Sequence, residues 1–585
     1  MTRRKPNRQV RCSVAGLSLL LALSATNSLP AQDFAHIAPK QPEKEGPGHV
    51  VDEGASKPIG GTGSEVLIDK LKGVRLVANP KEVRANPLPG KPGIDPGDVA
   101  LAHQPGFDAV VTPYLGQPVT MNSLAHMTRS IVAFYRDHDR PVVNVYVPEQ
   151  AITSGYVQVV VVESRVGKVD ATGAKWFSNI MLRQEVSLRP GDPISGGQVR
   201  NDVAWVNRNP FLQADMLMAP GDAPGTTDLL LRAQDRFPLR VYAGYEDSGN
   251  RYTSDDRLLA GVNYGNLFGL GQQLSFQYTQ APTKSEFVAE SGTYVIPLPW
   301  KHVLTLFGSY AATDATLASH FNSGGVNWQI SGRYEIPLPA TARFTESVIG
   351  GYDFKRNNNN LLFGVASVSN STTDVDQFVL SYEATLRDDY GSTSASATGF
   401  YNPGGFSAYA DGYDYSQQRA DAPDSYVYGQ FTLDRVTRLP FDFTWTLHGL
   451  IQESDANLLP SEQLGLGGYE TVPGYEEREV NGDDGFLIAS EIATPPVSIG
   501  EALGWTKFKD QLQFLGFVDY GGTSLRSLTA ADVNPNTNLL GIGPGLRYVI
   551  DPYVSVRFDY GFQLLDTGYG TGEHSRGHIG VVISY

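Results

Sequence analysis

Phe441 to Gln452 reads FDFTWTLHGLIQ. Phe441, Phe443, Trp445, Leu447, Gly449 and Ile451 fall on one face; Asp442, Thr444, Thr446, His448 and Gln452 fall on the other, with Leu450 the exception. Side chains alternate faces along a strand, so one side is oily and the other wet. The length suits a tilted crossing of a bilayer. The pattern recurs from Phe237 onward. Leu274, Phe276 and Tyr278 alternate with Ser275, Gln277 and Thr279, and Trp328, Ile330, Gly332, Tyr334 and Ile336 alternate with Gln329, Ser331, Arg333 and Glu335. Roughly fifteen or sixteen such segments, rounded to the even number a bacterial barrel requires, predict a 16-stranded antiparallel transmembrane β-barrel with a polar lumen. A water-soluble β-sandwich is the alternative; it would need fewer exposed aromatics and a continuous core.

At 585 residues the chain implies several domains. Residues 1–31 read as a secretory signal: Arg3, Arg4, Lys5, Arg8 and Arg11, then an apolar core from Val14 to Ala25 that is too short to span a bilayer. Cys12 is the only cysteine, so the processed chain is expected to carry no thiol and no disulfide. The net charge is −16, and removing the signal takes it to about −21. Such acidity argues against nucleic acid. After the signal there is no apolar run long enough for a helical span.

Three sections follow. Residues 32–64 form a linker so dense in proline and glycine that a stable helix is opposed. Residues 65–236 read as two small α/β units, 65–166 and 167–236. In the first, Leu124, Met127, Ile131 and Phe134 mark one helical face over Asn122–Arg136, with Asn122 as N-cap, followed by strands at Val142–Val147 and Tyr156–Glu163. In the second, helices are predicted over Phe177–Leu188 and Gly197–Asn207, and strands over Ala214–Met218 and Asp228–Ala233. Residues 237–585 are the barrel. Its short turns, such as Ile296–Trp300 and Ile336–Pro339, belong on the periplasmic side, with Trp300 in the interfacial belt. The polar stretches Arg356–Asp374, Asn402–Asp424, Ser454–Asp484 and Gly521–Asn538 read as outer loops, with Asp483 and Asp484 a solvated pair.

Several motifs together resemble one family. Tyr135 to Val169 carries the turn Pro148-Glu149-Gln150 and the end Glu163, Arg165, Gly167. Asn207-Arg208-Asn209-Pro210-Phe211, Pro220-Gly221 and Gly225-Thr226-Thr227-Asp228-Leu229 follow, then the barrel entry from Tyr245 to Gly269. Over residues 65–585 the chain is similar to the outer-membrane transporters of two-partner secretion, the haemolysin secretion/activation type of the POTRA–β-barrel superfamily. The resemblance implies two periplasmic POTRA domains feeding a barrel. It implies a partner too: an unfolded exoprotein caught in the periplasm by β-strand addition and conducted through the lumen. The strands bearing Val143, Val145, Val147, Val157 and Val159 are candidates for that capture, against an ordinary role in the core. An insertase-like assembly factor for outer-membrane proteins or lipids is the alternative function, and a passive porin would leave the POTRA section unexplained.

The same family carries a loop folded into the lumen with a V-R-G-Y or V-R-G-F tip. Here residues 464–483 supply it, with Gly467, Gly468, Val472, Pro473, Gly474 and Tyr475 in the motif. The family's arginine pairs with an acid on the inner wall, and the matching wall segment is Phe517, Asp519 and Gly521. Pro473 occupies the arginine position, so Asp519 lacks its expected partner; a buried unpaired carboxylate is costly. Either Arg478 substitutes or Asp519 is hydrated by a wet lumen. Family members often begin with a helix that plugs the pore. The linker composition opposes one, so either the plug is absent or the linker acts otherwise.

No catalytic arrangement is expected. His126, His138, His320, His448, His574 and His578 lack metal-ligand spacing, and the glycines at 269–271 and 541–545 lack a following helix and a P-loop lysine. They read as bends or close-packing sites. The expectation is a monomeric, cofactor-free, metal-free conduit among outer-membrane lipids.

Overall fold

Valine at five of eight positions makes Tyr156–Glu163 a central, doubly covered strand. The computed structural model describes residues 37–42, 49–52, 63–86, 91–316, 321–341, 343–363, 366–504, 509–528, 535–569 and 572–585; the expected signal lies outside them. The chain divides into two compact units, with the break to the barrel at Pro238/Leu239.

The α/β unit holds two modules and begins with a short strand, β1 (Val50–Asp52). The first module has β2 (Gly73–Val77), β3 (Gly93–Asp95), α1 (Phe107–Val111), α2 (Met121–Asp137), β4 (Val143–Tyr146) and β5 (Tyr156–Glu163). Its sheet order is β3-β2-β5-β4, so β4 and β3 are edges. Phe107, Met127, Ile131, Tyr135, Val157 and Val159 are fully buried between helices and sheet. Thr120, not Asn122, caps α2: its hydroxyl accepts from Ser123 N–H at 3.0 Å, and Ser123's hydroxyl accepts from Thr120 N–H at 2.8 Å. The reciprocal pair satisfies two donors where Asn122 alone would satisfy one.

The second module has β6 (Arg165–Thr172), α3 (Asn179–Glu185), α4 (Gly196–Val206), β7 (Leu212–Pro220) and β8 (Thr226–Asp235). Leu212, Ala214, Met216 and Met218 alternate inward along β7. The sheet order is β1-β7-β8-β6. Thus β1, from the linker, covers the β7 edge in parallel register, Val51 opposite Leu217.

The barrel strands are β9 (Leu239–Glu246), β10 (Arg257–Leu267), β11 (Gln272–Gln280), β12 (Phe287–Pro297), β13 (Val303–Thr316), β14 (Phe321–Pro337), β15 (Phe344–Phe363), β16 (Ala366–Arg387), β17 (Gly391–Asn402), β18 (Tyr426–Arg438) and β19 (Thr444–Ser454). A two-stranded hairpin, β20 (Leu464–Leu466) with β21 (Val480–Gly482), is inserted next. Then come β22 (Asp484–Ala493), β23 (Lys509–Ser524), β24 (Asn536–Asp551), β25 (Val554–Gln563) and β26 (Ser575–Ser584). Neighbours pair antiparallel and β26 closes on β9, giving sixteen strands and no free edge. The faces are inverted relative to a soluble protein. On β11, Phe276 is 46% exposed while its neighbour Gln277 is 1% exposed. Apolar residues face out and polar ones face in, as lipid around a polar lumen requires.

Two expectations need correction. Phe441 and Asp442 form a turn, and the crossing strand begins at Thr444. Most of Arg356–Asp374 is ladder rather than loop: β15 and β16 stay paired as far as Phe363 opposite Ala366, with Asn358 Nδ2 donating to Thr372 at 2.8 Å. Continued main-chain pairing satisfies the backbone of this polar run.

Candidate functional site: the lumen loop and its wall

The β20–β21 stem brings residues 467–479 into the barrel as a tip. Three glycines turn it, each at positive φ: Gly467 (111°), Gly468 (100°) and Gly474 (105°). Side chains there would be strained. Thr471 ties the first turn, its hydroxyl donating to Gly467 O at 2.9 Å, and Tyr469 N–H donates to Glu477 Oε2 at 3.0 Å. Val472 and Tyr475 are fully buried with Leu464, Leu466, Val480, Leu487 and Leu539.

The wall beneath is made of glycine. A Cβ on Gly521 would lie 2.8 Å from Leu466 Cδ1, and one on Gly541 2.5 Å from Pro473 O. On Gly561 it would lie 2.2 Å from Pro473 O, and on Gly580 2.1 Å from the Tyr469 hydroxyl. These glycines sit on β23, β24, β25 and β26, four successive strands, and so form a track into which the loop settles. Hydrogen bonds fix it there. Tyr475's hydroxyl donates to Leu565 O at 2.7 Å and accepts from Leu540 N–H at 3.1 Å. Gln563 Nε2 donates to Gly474 O at 2.7 Å, and Gly474 N–H donates to His578 Nε2 at 3.3 Å.

Phe517, Asp519 and Gly521 alternate inward on β23. Asp519 is buried and accepts from Ser490 N–H at 3.2 Å. Arg478 is engaged at the loop's base: its Nε donates to Asn481 Oδ1 at 3.0 Å and its Nη2 to Gln463 O at 2.9 Å. The cation that reaches the tip from the wall is Arg557, on β25. Its Nη2 donates to Tyr469 O at 2.6 Å, its guanidinium lies 4.3 Å from the Tyr469 ring centroid, and its Nε pairs with Asp559 at 2.7 Å. Asp559 also takes Arg547 at 2.6 Å, and Arg547 continues to Glu491 at 3.2 Å.

Asp483 is not solvated. It is fully buried, paired with Arg419, and accepts from Leu458 N–H at 2.8 Å and Arg526 N–H at 2.9 Å. The charge is held by donors from three outer segments, which removes the penalty that had placed it in water. Below it Glu462, also buried, takes Lys355 at 2.9 Å and the Tyr428 hydroxyl at 3.0 Å.

Part of the linker lies inside the barrel as well. Ile37 is buried among Ala281, Phe287, Ala289 and Ala311, and its carbonyl accepts from the Ser291 hydroxyl at 2.5 Å. Lys40 N–H donates to the Tyr242 hydroxyl at 3.0 Å, and Lys40 Nζ pairs with Glu246 at 2.9 Å. Between this strap, the wall and the loop's Glu477 and Arg478 a cavity of about 120 Å³ remains. In the first module Val157 and Val159 are wholly buried, Val143 nearly so, and Val145 and Val147 pack against the same core. Their side chains belong to the interior; what β4 offers at the sheet edge is its main chain. Among the described residues no cluster of histidine, cysteine, aspartate and glutamate could hold a metal ion.

Comparison with known proteins agrees with this arrangement. A family model described as haemolysin secretion/activation protein ShlB/FhaC/HecB matches residues 225–548, and one for the ShlB-type POTRA domain matches residues 97–164. The heme/hemopexin transporter protein HuxB of Haemophilus influenzae is 25% identical over 167 residues, 28% of this chain and 30% of that protein, so this match spans less than a third of the relative. The outer membrane transporter CdiB of Dickeya dadantii is 22% identical over 398 residues, 66% of this chain and 68% of CdiB. The structure of CdiB from Escherichia coli superposes with a TM-score of 0.73 at 16% identity, covering 100% of both chains. CdiB from Acinetobacter baumannii gives 0.62 at 16% identity, covering 98% of this chain and 97% of that one. These likenesses establish the fold.

Proposed function

The chain belongs to the ShlB/FhaC/HecB family of haemolysin secretion/activation proteins, and on that footing we propose that it is the outer-membrane pore of a two-partner secretion system. Its substrate is a secreted exoprotein, taken up unfolded from the periplasm and passed outward through the barrel. The observation that carries this reading is the lumen loop, packed against the inner wall of a closed sixteen-stranded barrel. A passive porin has no use for two α/β modules ahead of its first strand.

The loop is the gate. Hydrogen bonds and close packing hold it, with no covalent link, so it can leave its track without breaking the barrel. Arg557 takes the place of the missing loop arginine from the opposite side, clamping Tyr469's carbonyl and ring. Capture proceeds through main-chain pairing at open sheet edges, β4 in the first module above all, since an edge reads extended shape rather than side chains. At the β7 edge the client competes with β1, a strand of three residues that is weakly held.

Deleting the coding sequence and comparing culture supernatants with outer-membrane fractions tests this. Loss of a single large exoprotein from the medium, with other barrels at normal abundance, supports a secretion pore. Unchanged exoproteins with depleted outer-membrane barrels would instead identify an assembly factor.

A further inference from the structure

The second module carries an apolar patch that its core does not use. Trp176, Ile180 and Phe237 are 51%, 64% and 52% exposed, and the rings of Trp176 and Phe237 meet edge-on at 4.9 Å. The patch is built rather than incidental. Asp235, at the end of β8, accepts from the main-chain N–H of Lys175 at 2.8 Å, Trp176 at 2.6 Å and Phe177 at 2.8 Å. One carboxylate thereby fixes the turn that turns Phe177 inward and Trp176 outward. Next to it Arg236 donates to Pro210 O at 3.0 Å and lies 5.2 Å from the Phe211 ring, which fixes the base of Phe237. Ile180 sits in the first turn of α3 with Arg183 one turn on, and Lys175 and Arg183 are both exposed.

Tryptophan, a second aromatic, an aliphatic residue and flanking long cations are the composition of a membrane–water interface. Chain connectivity points the same way. Phe237 is two residues from Leu239, where β9 starts, and two residues reach at most about 7 Å. Leu239 and Val241 are exposed on the lipid face of β9. On the short-turn side of the barrel, Phe268, Trp300, Tyr390 and Phe441 are also exposed, in the turns after β10, β12, β16 and β18. The barrel's own lipid-side surface is thus built from the same residue types as the patch.

We propose that Trp176, Ile180 and Phe237 form a lipid-surface anchor, seated in the headgroup region of the periplasm-facing leaflet of the outer membrane. Lys175 and Arg183 meet lipid phosphates, and the second module is held at a fixed depth. The inference rests on the barrel spanning that membrane and not on what it transports.

Full-length protein in lipid nanodiscs, carrying one environment-sensitive dye, tests it. The dye is placed by Ile180→Cys, by Asp222→Cys or by Leu274→Cys, each in a Cys12→Ser background, and the nanodiscs contain nitroxide-labelled phospholipid. Asp222 lies in the β7–β8 hairpin, the far end of β8 from Asp235, about 30 Å away at a strand's rise. Leu274 is on the lipid face of the barrel. The Leu274 site reports on the barrel alone; its failure to quench would overturn the barrel reading. With it quenched, the anchor predicts that the Ile180 label loses most of its emission and the Asp222 label little. Trp176→Ser with Phe237→Ser restores the Ile180 emission. An Ile180 label that stays bright, or one quenched no more than Asp222, would overturn the anchor; so would an Ile180 label that is quenched equally in the double variant. Protection of the Ile180 label only when an unfolded polypeptide is added would assign the patch to protein instead.

Discussion

Pro473 brings no charge to the loop tip, and Arg557 brings one from the wall, donating to the Tyr469 carbonyl. Arg557→Gln removes a charge-assisted hydrogen bond and loosens the docked loop by about 1–3 kcal/mol; the frequency of open events in planar-bilayer recordings rises accordingly. Adding Pro473→Arg to that variant returns a cation to the tip and lowers the opening frequency again. Additive effects of the two changes would show that they do not share a role. Tyr135 makes a second test. Its hydroxyl is buried without a hydrogen-bond partner, and burial, helped by the Glu163 carboxylate, pushes the phenol well above its ordinary value. The folded state thus favours the neutral phenol. Stability present below the unfolded value of about 10 is lost as pH rises past it. Tyr135→Phe stabilises the first module by about 1 kcal/mol and removes that alkaline loss, read as slower hydrogen exchange in α2. Neither residue's role was legible in the sequence. Tyr135 sits at a good helical spacing but says nothing of its hydroxyl, and Arg557 meets Tyr469 from 88 positions further along the chain.

Strands declare themselves through a two-residue period, and so the barrel elements were readable: the lipid-facing Phe276 and the inward Gln277 follow from alternation alone. Register is not readable that way. Gly541 reads from sequence as a bend or packing point and Gly521 as part of the wall motif, while nothing singles out Gly561 or Gly580; only the pairing of β23 through β26 lines the four up beneath the loop. Asp483 was misplaced for the same reason, since its partner Arg419 comes from another outer segment. The linker's composition opposes a helix, and much of it lies outside the described residues. Its composition carries no sign that residues 37–42 follow the inner wall or that β1 joins a sheet. That added strand has a consequence. If the client replaces β1 on the β7 edge, a short cross-link between Val51→Cys and Leu217→Cys, which are register partners, lowers secretion several-fold without changing the amount of protein in the membrane. Secretion at the normal rate from the cross-linked protein would remove the β7 edge from the route.

The loop and the strap at residues 37–42 both lie against the inner wall of a barrel closed on itself, so a chain conducted through that barrel has to displace them. The barrel wall is continuous from β9 to β26, which leaves the loop as the proposed gate. A short, reducible cross-link between Val472→Cys on the tip and Leu539→Cys on β24, two side chains of one buried cluster, would pin the tip to its track without adding a side chain to the glycine wall. Exoprotein release is then measured from cells carrying this pair, with the link formed and again after reductant. Release stops while the tip is locked and resumes once the link is reduced; undiminished release through the locked barrel would mean that the loop is not the gate.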